Sequence, residues 1–193
     1  TLNMARNDFF GEIIHCEGAY IHDLLDSPFD KDARYNYWRL RENAAHNANL
    51  YPTHGLGPIS QILKINRGNR MDYMTAMASK DFSLGKKNLE MAQQDPFFKQ
   101  FDHNKFRGNI NSSNIMTASG STILLQHDVS SPRPYSRLHV VSGTKAFAQK
   151  YPLPAKIATS HEGFVDEQTF KALEEKYTPG IVKKVGEMAK LVG

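Results

Sequence analysis

Apolar and polar positions alternate along much of the chain, and the alternation changes period several times. Residues 2–10 carry Leu2, Met4 or Ala5, and Phe9 at helical spacing, and Gly11 stands where a helix C-cap would. From Ile13 to His22 the period drops to two, so Ile14, Cys16, Gly18, Tyr20 and His22 share one face of a predicted strand. Asp26-Ser27-Pro28 breaks it. A helix is expected from Tyr35 to Ala48, then a loop through Gly55, then a second helix from about Gly57-Pro58 to Ile65. Met71–Ala78 reads as a strand. The polar stretch 79–108 has helix formers around Lys86–Ala92, and a connection that long suggests function or mobility.

Four closely spaced strands are expected beyond it, over 109–119, 121–129, 136–141 and 144–149. Hairpin-type turns join them at Ser119-Gly120 and Ser142-Gly143. The tail from Val165 to Val192 is helical, interrupted at Thr178-Pro179-Gly180. Strands grouped apart from helices predict an α+β domain over 1–193: a largely antiparallel open sheet flanked by helices.

Composition narrows the function classes. The net charge is +4, but Arg39, Arg41, Lys86, Lys87, Lys183 and Lys184 are dispersed and no aromatic-plus-basic module accompanies them, which argues against nucleic acid. No apolar run approaches the roughly 20 residues of a membrane span. The single Cys16 rules out an internal disulfide, and its apolar surroundings predict an inert thiol. His46, His103, His127, His139 and His161 lack partners at metal-ligand spacing, so no metal is expected. No G-x-G-x-x-G follows a strand; Gly55-Leu56-Gly57 lacks the third glycine.

Three groups can carry chemistry. Tyr20 and His22, two apart on a strand, project their rings to one side about 7 Å apart. They can relay protons or bind a polyol, or they can simply pack as an aromatic pair. Tyr51 and His54 sit in a Pro- and Gly-shaped segment entering a helix, where the N-terminus lowers a histidine's pKa and favours a neutral base. The alternative is a helix-entry cap. Arg39 and Asn43, one helical turn apart, can reach one ligand together, or they belong to an exposed Arg–Glu face. Tyr135, on the proline-stiffened run 131–137, serves equally well at a rim or in packing.

Together these runs resemble one family. Gly11-Glu12-Ile13, Gly18-Ala19-Tyr20-Ile21-His22-Asp23, Trp38-Arg39-Leu40, residues 49–58 (NLYPTHGLGP), Gln126-His127-Asp128-Val129 and the hairpin Val141-Ser142-Gly143-Thr144-Lys145 are similar to the second domain of Gfo/Idh/MocA-type proteins. The resemblance is to their NAD-dependent α-N-acetylgalactosaminidase branch. It implies a preceding Rossmann domain that holds NAD and a glycosidase mechanism outside the two-carboxylate scheme. Hydride leaves sugar C3, a base takes the C2 proton, the aglycone leaves, water adds and hydride returns. Residue by residue it implies that Tyr20 and His22 transfer protons beside the cofactor. Arg39, Tyr51, His54 and, more weakly, Tyr135 contact sugar, with His54 also a candidate in the catalytic step. Which ring is acid and which is base stays open.

The resemblance also places an acidic sugar contact before Thr1 and a Gly/His motif after Gly193. The chain alone is therefore expected to be inactive and to hold NAD poorly. It further implies a periplasmic or secreted setting, and a homo-oligomer through the sheet face. The alternatives are a sugar dehydrogenase of the same superfamily, or a non-enzymatic dimerisation or polyanion-binding module.

Overall fold

The computed structural model describes residues 1–32 and 35–192, with side chains described up to Gly186 apart from that of Tyr35. Seven strands form one open sheet: β1 (Ile13–Ile21), β2 (Met71–Ala78), β3 (Ile110–Thr117), β4 (Thr122–Asp128), β5 (His139–Gly143), β6 (Phe147–Lys150) and β7 (Lys156–Ala158). Their order is β2-β3-β4-β1-β5-β6-β7. Only β1 and β4 run parallel; the other pairings are antiparallel. The helices are α1 (Leu2–Arg6), α2 (Trp38–Ala45), α3 (Thr53–Ile62), α4 (Leu84–Gln94), α5 (Glu167–Tyr177) and α6 (Gly180–Val192). The α+β architecture is therefore the one expected, with β7 as a strand that the hydropathy pattern did not reveal. Among the described residues no helix is long and apolar enough to cross a membrane.

The main core lies between one sheet face and α1, α3 and α5. Cys16, Ile115, Ile123, Val141 and Ala148 from the strands meet Met4, Ile59 and Ile62 from the helices. Cys16 is fully buried, and burial pushes its thiol up to about 12, so it stays protonated and inert. The expected one-face alternation of β1 fails at its start. A bulge between Ile13 and His15 throws Ile14 out to 54% exposure, while Cys16 and Gly18 face the core.

Four local expectations are corrected. Gly11 does not cap α1, which ends at Arg6. Its positive φ of +65° instead lets the chain turn into β1 against Thr144, where a Cβ would come within 2.3 Å of Thr144 Oγ1. The helix expected over 35–48 is shorter: a 3₁₀ turn precedes α2, which stops at Ala45. α3 starts at Thr53 rather than near Gly57, so His54 and Gly55 belong to its first turn. Residues 79–108 are a structured insertion, not an open connection. α4 and a 3₁₀ turn over Pro96–Gln100 enclose a second core of Phe29, Leu40, Leu84, Phe98 and Phe106. Its aromatic residues follow no single period, so hydropathy alone did not show them as a core. Leu40 ties α2 to it.

Candidate functional site

The site forms at the C-terminal end of β1, where three separate segments meet. Gly18 and Gly55 bring the first two together. A Cβ on Gly18 would stand 2.5 Å from the Gly55 carbonyl oxygen, and one on Gly55 would stand 2.8 Å from the Ala19 nitrogen. Only two glycines allow the first turn of α3 to lie this close to the strand. That approach places His54 over Tyr20, with ring centroids 4.8 Å apart, and Tyr51 against both, at 5.2 Å from Tyr20 and 4.8 Å from His54.

Beyond the strand end His22 continues the wall. Its ring lies 6.2 Å from Tyr20 and nearly parallel to it, at 14°. The third segment is the loop 129–138. Ser136 exchanges both backbone hydrogen bonds with Ile21, each 2.9 Å, which pins the neighbouring Tyr135 edge-on to His22 at 5.0 Å. Arg39 closes the opposite side from α2, its guanidinium lying 4.7 Å from the Trp38 ring and 5.2 Å from Tyr51. The six residues that the resemblance assigned to the site, Tyr20, His22, Arg39, Tyr51, His54 and Tyr135, form one contiguous cluster.

A cavity of about 190 Å³ opens beside Tyr51 and Arg39, walled by Trp38, Leu50, Val129 and His127. His127 is the residue that the sequence reading passed over for chemistry. It pairs with Tyr20 across the parallel β1/β4 ladder, and the two rings lie 6.3 Å apart. Only 2% of it is exposed. Burial, reinforced by the charges of Arg107 and Arg39, pushes its imidazole down to about 3, so it is neutral at physiological pH. Its place in the Gln126-His127-Asp128-Val129 run was the only sequence signal, because strand pairing cannot be read from spacing.

His54 is also held below the ordinary histidine value. Burial is the larger cause and the Arg137 charge the second, so the expected direction holds through a different cause from the helix terminus. Three buried polar atoms at or beside the cluster have no hydrogen-bond partner among the described residues: His22 Nδ1, Arg39 Nε and His127 Nδ1. Such atoms are costly to leave unmatched, which suits a site that receives a polar ligand. The expected Arg39–Asn43 partnership on a ligand is corrected. Asn43 is buried, accepts from Arg107 Nε and donates to the Arg39 carbonyl at 2.6 Å, so its amide is already committed. Among the described residues no group of three His, Cys, Asp or Glu is placed to hold a metal ion.

Residues 1–193 match the family described as glycosyl hydrolase 109, C-terminal domain. An alpha-N-acetylgalactosaminidase of Bacteroides fragilis is 44% identical over 181 residues, covering 91% of this chain and 41% of that protein. A glycosyl hydrolase family 109 protein of Phocaeicola vulgatus is 41% identical over 203 residues, covering 98% and 46%. The chain thus spans well under half the length of these relatives. Among solved structures, a levoglucosan dehydrogenase in complex with NADH and levoglucosan superposes with a TM-score of 0.57 at 14% identity, over 85% of this chain and 41% of that one. An inositol dehydrogenase homolog from Azotobacter vinelandii, complexed with NAD⁺, gives 0.52 at 12% identity, over 86% and 41%. The two structures share the fold of this chain.

Proposed function

Because the chain belongs to the glycosyl hydrolase 109 family, whose C-terminal domain it matches throughout, we propose that it is the sugar-binding and proton-transferring half of an NAD-dependent glycosidase. The substrate class is terminal α-linked N-acetylgalactosamine, as in the name of the Bacteroides fragilis relative. The observation that carries the proposal is the convergence of Tyr20, His22, Tyr51, His54, Tyr135 and Arg39 on one cluster built from four segments: the end of β1, the entry to α3, the loop 129–138 and α2.

The chain's own residues fit a nicotinamide but not the rest of a dinucleotide. The nearly parallel Tyr20 and His22 rings, with His22 Nδ1 unpartnered, suit a flat ring bearing a carboxamide. The sequence offers no glycine-rich turn for the phosphates. NAD would therefore be held mainly by a part of the protein outside this domain, with Tyr20 and His22 facing its reactive end. When bound, it supplies reversible hydride acceptance at sugar C3, which makes the neighbouring C2 proton acidic.

Arg39, with its fork held between Trp38 and Tyr51, orients the sugar through its hydroxyl or amide oxygens. His54, kept neutral, accepts the C2 proton. The Tyr20 phenol, in ring contact with both His54 and His22, holds or passes a proton between them. Tyr51 lines the cavity beside Arg39, and Tyr135 stands edge-on to His22 at the other end of the cluster.

The 193-residue chain alone is inactive in this scheme. The test uses full-length protein and p-nitrophenyl α-N-acetylgalactosaminide. Nitrophenol release without net NADH supports the glycosidase. Steady accumulation of NADH would instead establish a sugar dehydrogenase, the second reading, which the fold shared with two sugar dehydrogenase-type structures favours.

On the sheet face opposite α3, β2 carries Tyr73 and Met77, exposed by 61% and 78%. We propose that a second copy of the protein covers this face.

A further inference from the structure

α2 carries Arg39 into the site, yet few groups hold it there. Of its described residues only Leu40 and Asn43 are buried. Leu40 sits in the apolar cluster of the insertion and Ala44 packs against it one turn on, contacts without directional preference that restrain rotation about the helix axis only loosely. Asn43 meets Arg107, which is 1% exposed and stands just ahead of β3.

The hydrogen bonds of Arg107 define a clamp. Its Nε donates to Asn43 Oδ1, and its backbone N–H donates to the Asn43 carbonyl at 2.9 Å. Its Nη1 donates to the carbonyls of Gly108, at 2.8 Å, and Asn109, at 3.1 Å. Next door, the Gly108 N–H donates to Asn47 Oδ1 at 3.0 Å, just past the end of α2. One planar fork therefore grips the helix on one side and the backbone entering β3 on the other, a geometry that a lysine ammonium cannot reproduce. The Asn43 amide passes the constraint on to the Arg39 carbonyl.

We propose that Arg107 is a positioning residue for substrate recognition, fixing the rotation of α2 and with it the place of the Arg39 guanidinium beside Tyr51. It touches no ligand itself. The consequence for catalysis rests on the glycosidase reading above, whereas the consequence for α2 does not.

The experiment uses full-length Arg107→Lys, Arg39→Ala and the double variant, with p-nitrophenyl α-N-acetylgalactosaminide as substrate and hydrogen–deuterium exchange as a second readout. Arg107→Lys should raise KM by about tenfold with a much smaller change in kcat, and the same substitution in the Arg39→Ala background should change KM by less than about twofold. Amides of residues 38–45 should exchange faster in Arg107→Lys while those of β1 and β4 keep their protection. Equal effects of Arg107→Lys in both backgrounds, or unchanged exchange over 38–45, would overturn the proposal. Should Arg107→Lys not fold, Asn43→Leu removes the other jaw at similar volume and must give the same two signatures. If no variant or parent cleaves the substrate, the glycosidase reading fails, and the exchange data alone decide the clamp.

Discussion

Replacing Gly18 by alanine probes the contact on which the whole site is built. The new methyl would lie 2.5 Å from the Gly55 carbonyl oxygen and 2.8 Å from both the Gly55 carbonyl carbon and Ile59 Cδ1, whereas ordinary van der Waals contact begins at 3.4 Å. Two of these three neighbours are backbone, so no rotamer change relieves the overlap. α3 must retreat from β1 by 3.0 − 2.5 = 0.5 Å at the least, and by 3.4 − 2.5 = 0.9 Å to regain ordinary contact. Overpacking of this kind costs about 1–3 kcal/mol, which for a domain of this size lowers Tm by roughly 2–12 °C. The retreat also carries His54 and Tyr51 away from Tyr20, and a misplacement of ~1 Å in a catalytic constellation reduces kcat/KM by about 10²-fold. Thermal unfolding of the 193-residue variant checks the first number and nitrophenol release by the full-length variant the second. Gly57→Ala is the matched control. Apart from its chain neighbours nothing lies within 4 Å of its added Cβ, and the gain from replacing a helical glycine, about 0.5–1 kcal/mol, is opposed by crowding of the new Cβ against the Pro58 ring, so on the 193-residue chain Tm should change little. If Gly18→Ala retains the parent Tm and kcat/KM, the close approach of α3 to β1 is not what assembles the cluster.

Three other outcomes follow from the same geometry. Since burial, and then Arg137, hold His54 below 6.5, its neutral form persists into mild acid; the acidic limb of kcat/KM should fall below pH 6.5 and move up in Arg137→Gln, and a limb at or above 6.5 in the parent counts against His54 as the proton acceptor. His127 takes up no proton in the folded chain until about pH 3, while the unfolded chain takes one near 6.5, so between those values acidification removes stability by about 1.4 kcal/mol per pH unit from this group. Urea midpoints at pH 7.5, 6 and 5 should show a shallower acid loss in His127→Gln, with the part due to His139, pushed down to about 4 chiefly by burial, left in place; an unchanged slope would mean that His127 is solvated. Met77→Lys places a charge on the sheet face opposite α3 and should shift the full-length protein towards monomer in light scattering, and a parent that is already monomeric removes the proposed pairing.

Local chemistry along the chain determined the elements and most of the residues of the site. Period-two alternation marked β1, strand-like runs marked β2 to β4, Thr178-Pro179 separated the two tail helices, and Asp166 capped α5 by accepting from the Thr169 N–H. Spacing placed Tyr20 beside His22 and Tyr51 near His54, because two residues on a strand and three around a helix entry are fixed by backbone geometry alone. Tertiary structure decided what those couples do. That Gly18 and Gly55 are one contact, that His127 lies beside Tyr20, that Ser136 pins Tyr135 to the end of β1 and that Arg107 grips Asn43 are pairings across 37, 107, 115 and 64 positions. No local period encodes a partner at such separations. The insertion over 79–108 shows the same limit: Leu84, Phe98 and Phe106, irregularly spaced, form a core only because Leu40 of α2 and the turn around Phe29 close over them. Propensity and alternation act within a few residues, whereas burial and hydrogen-bond pairing depend on which surfaces the folded chain brings together.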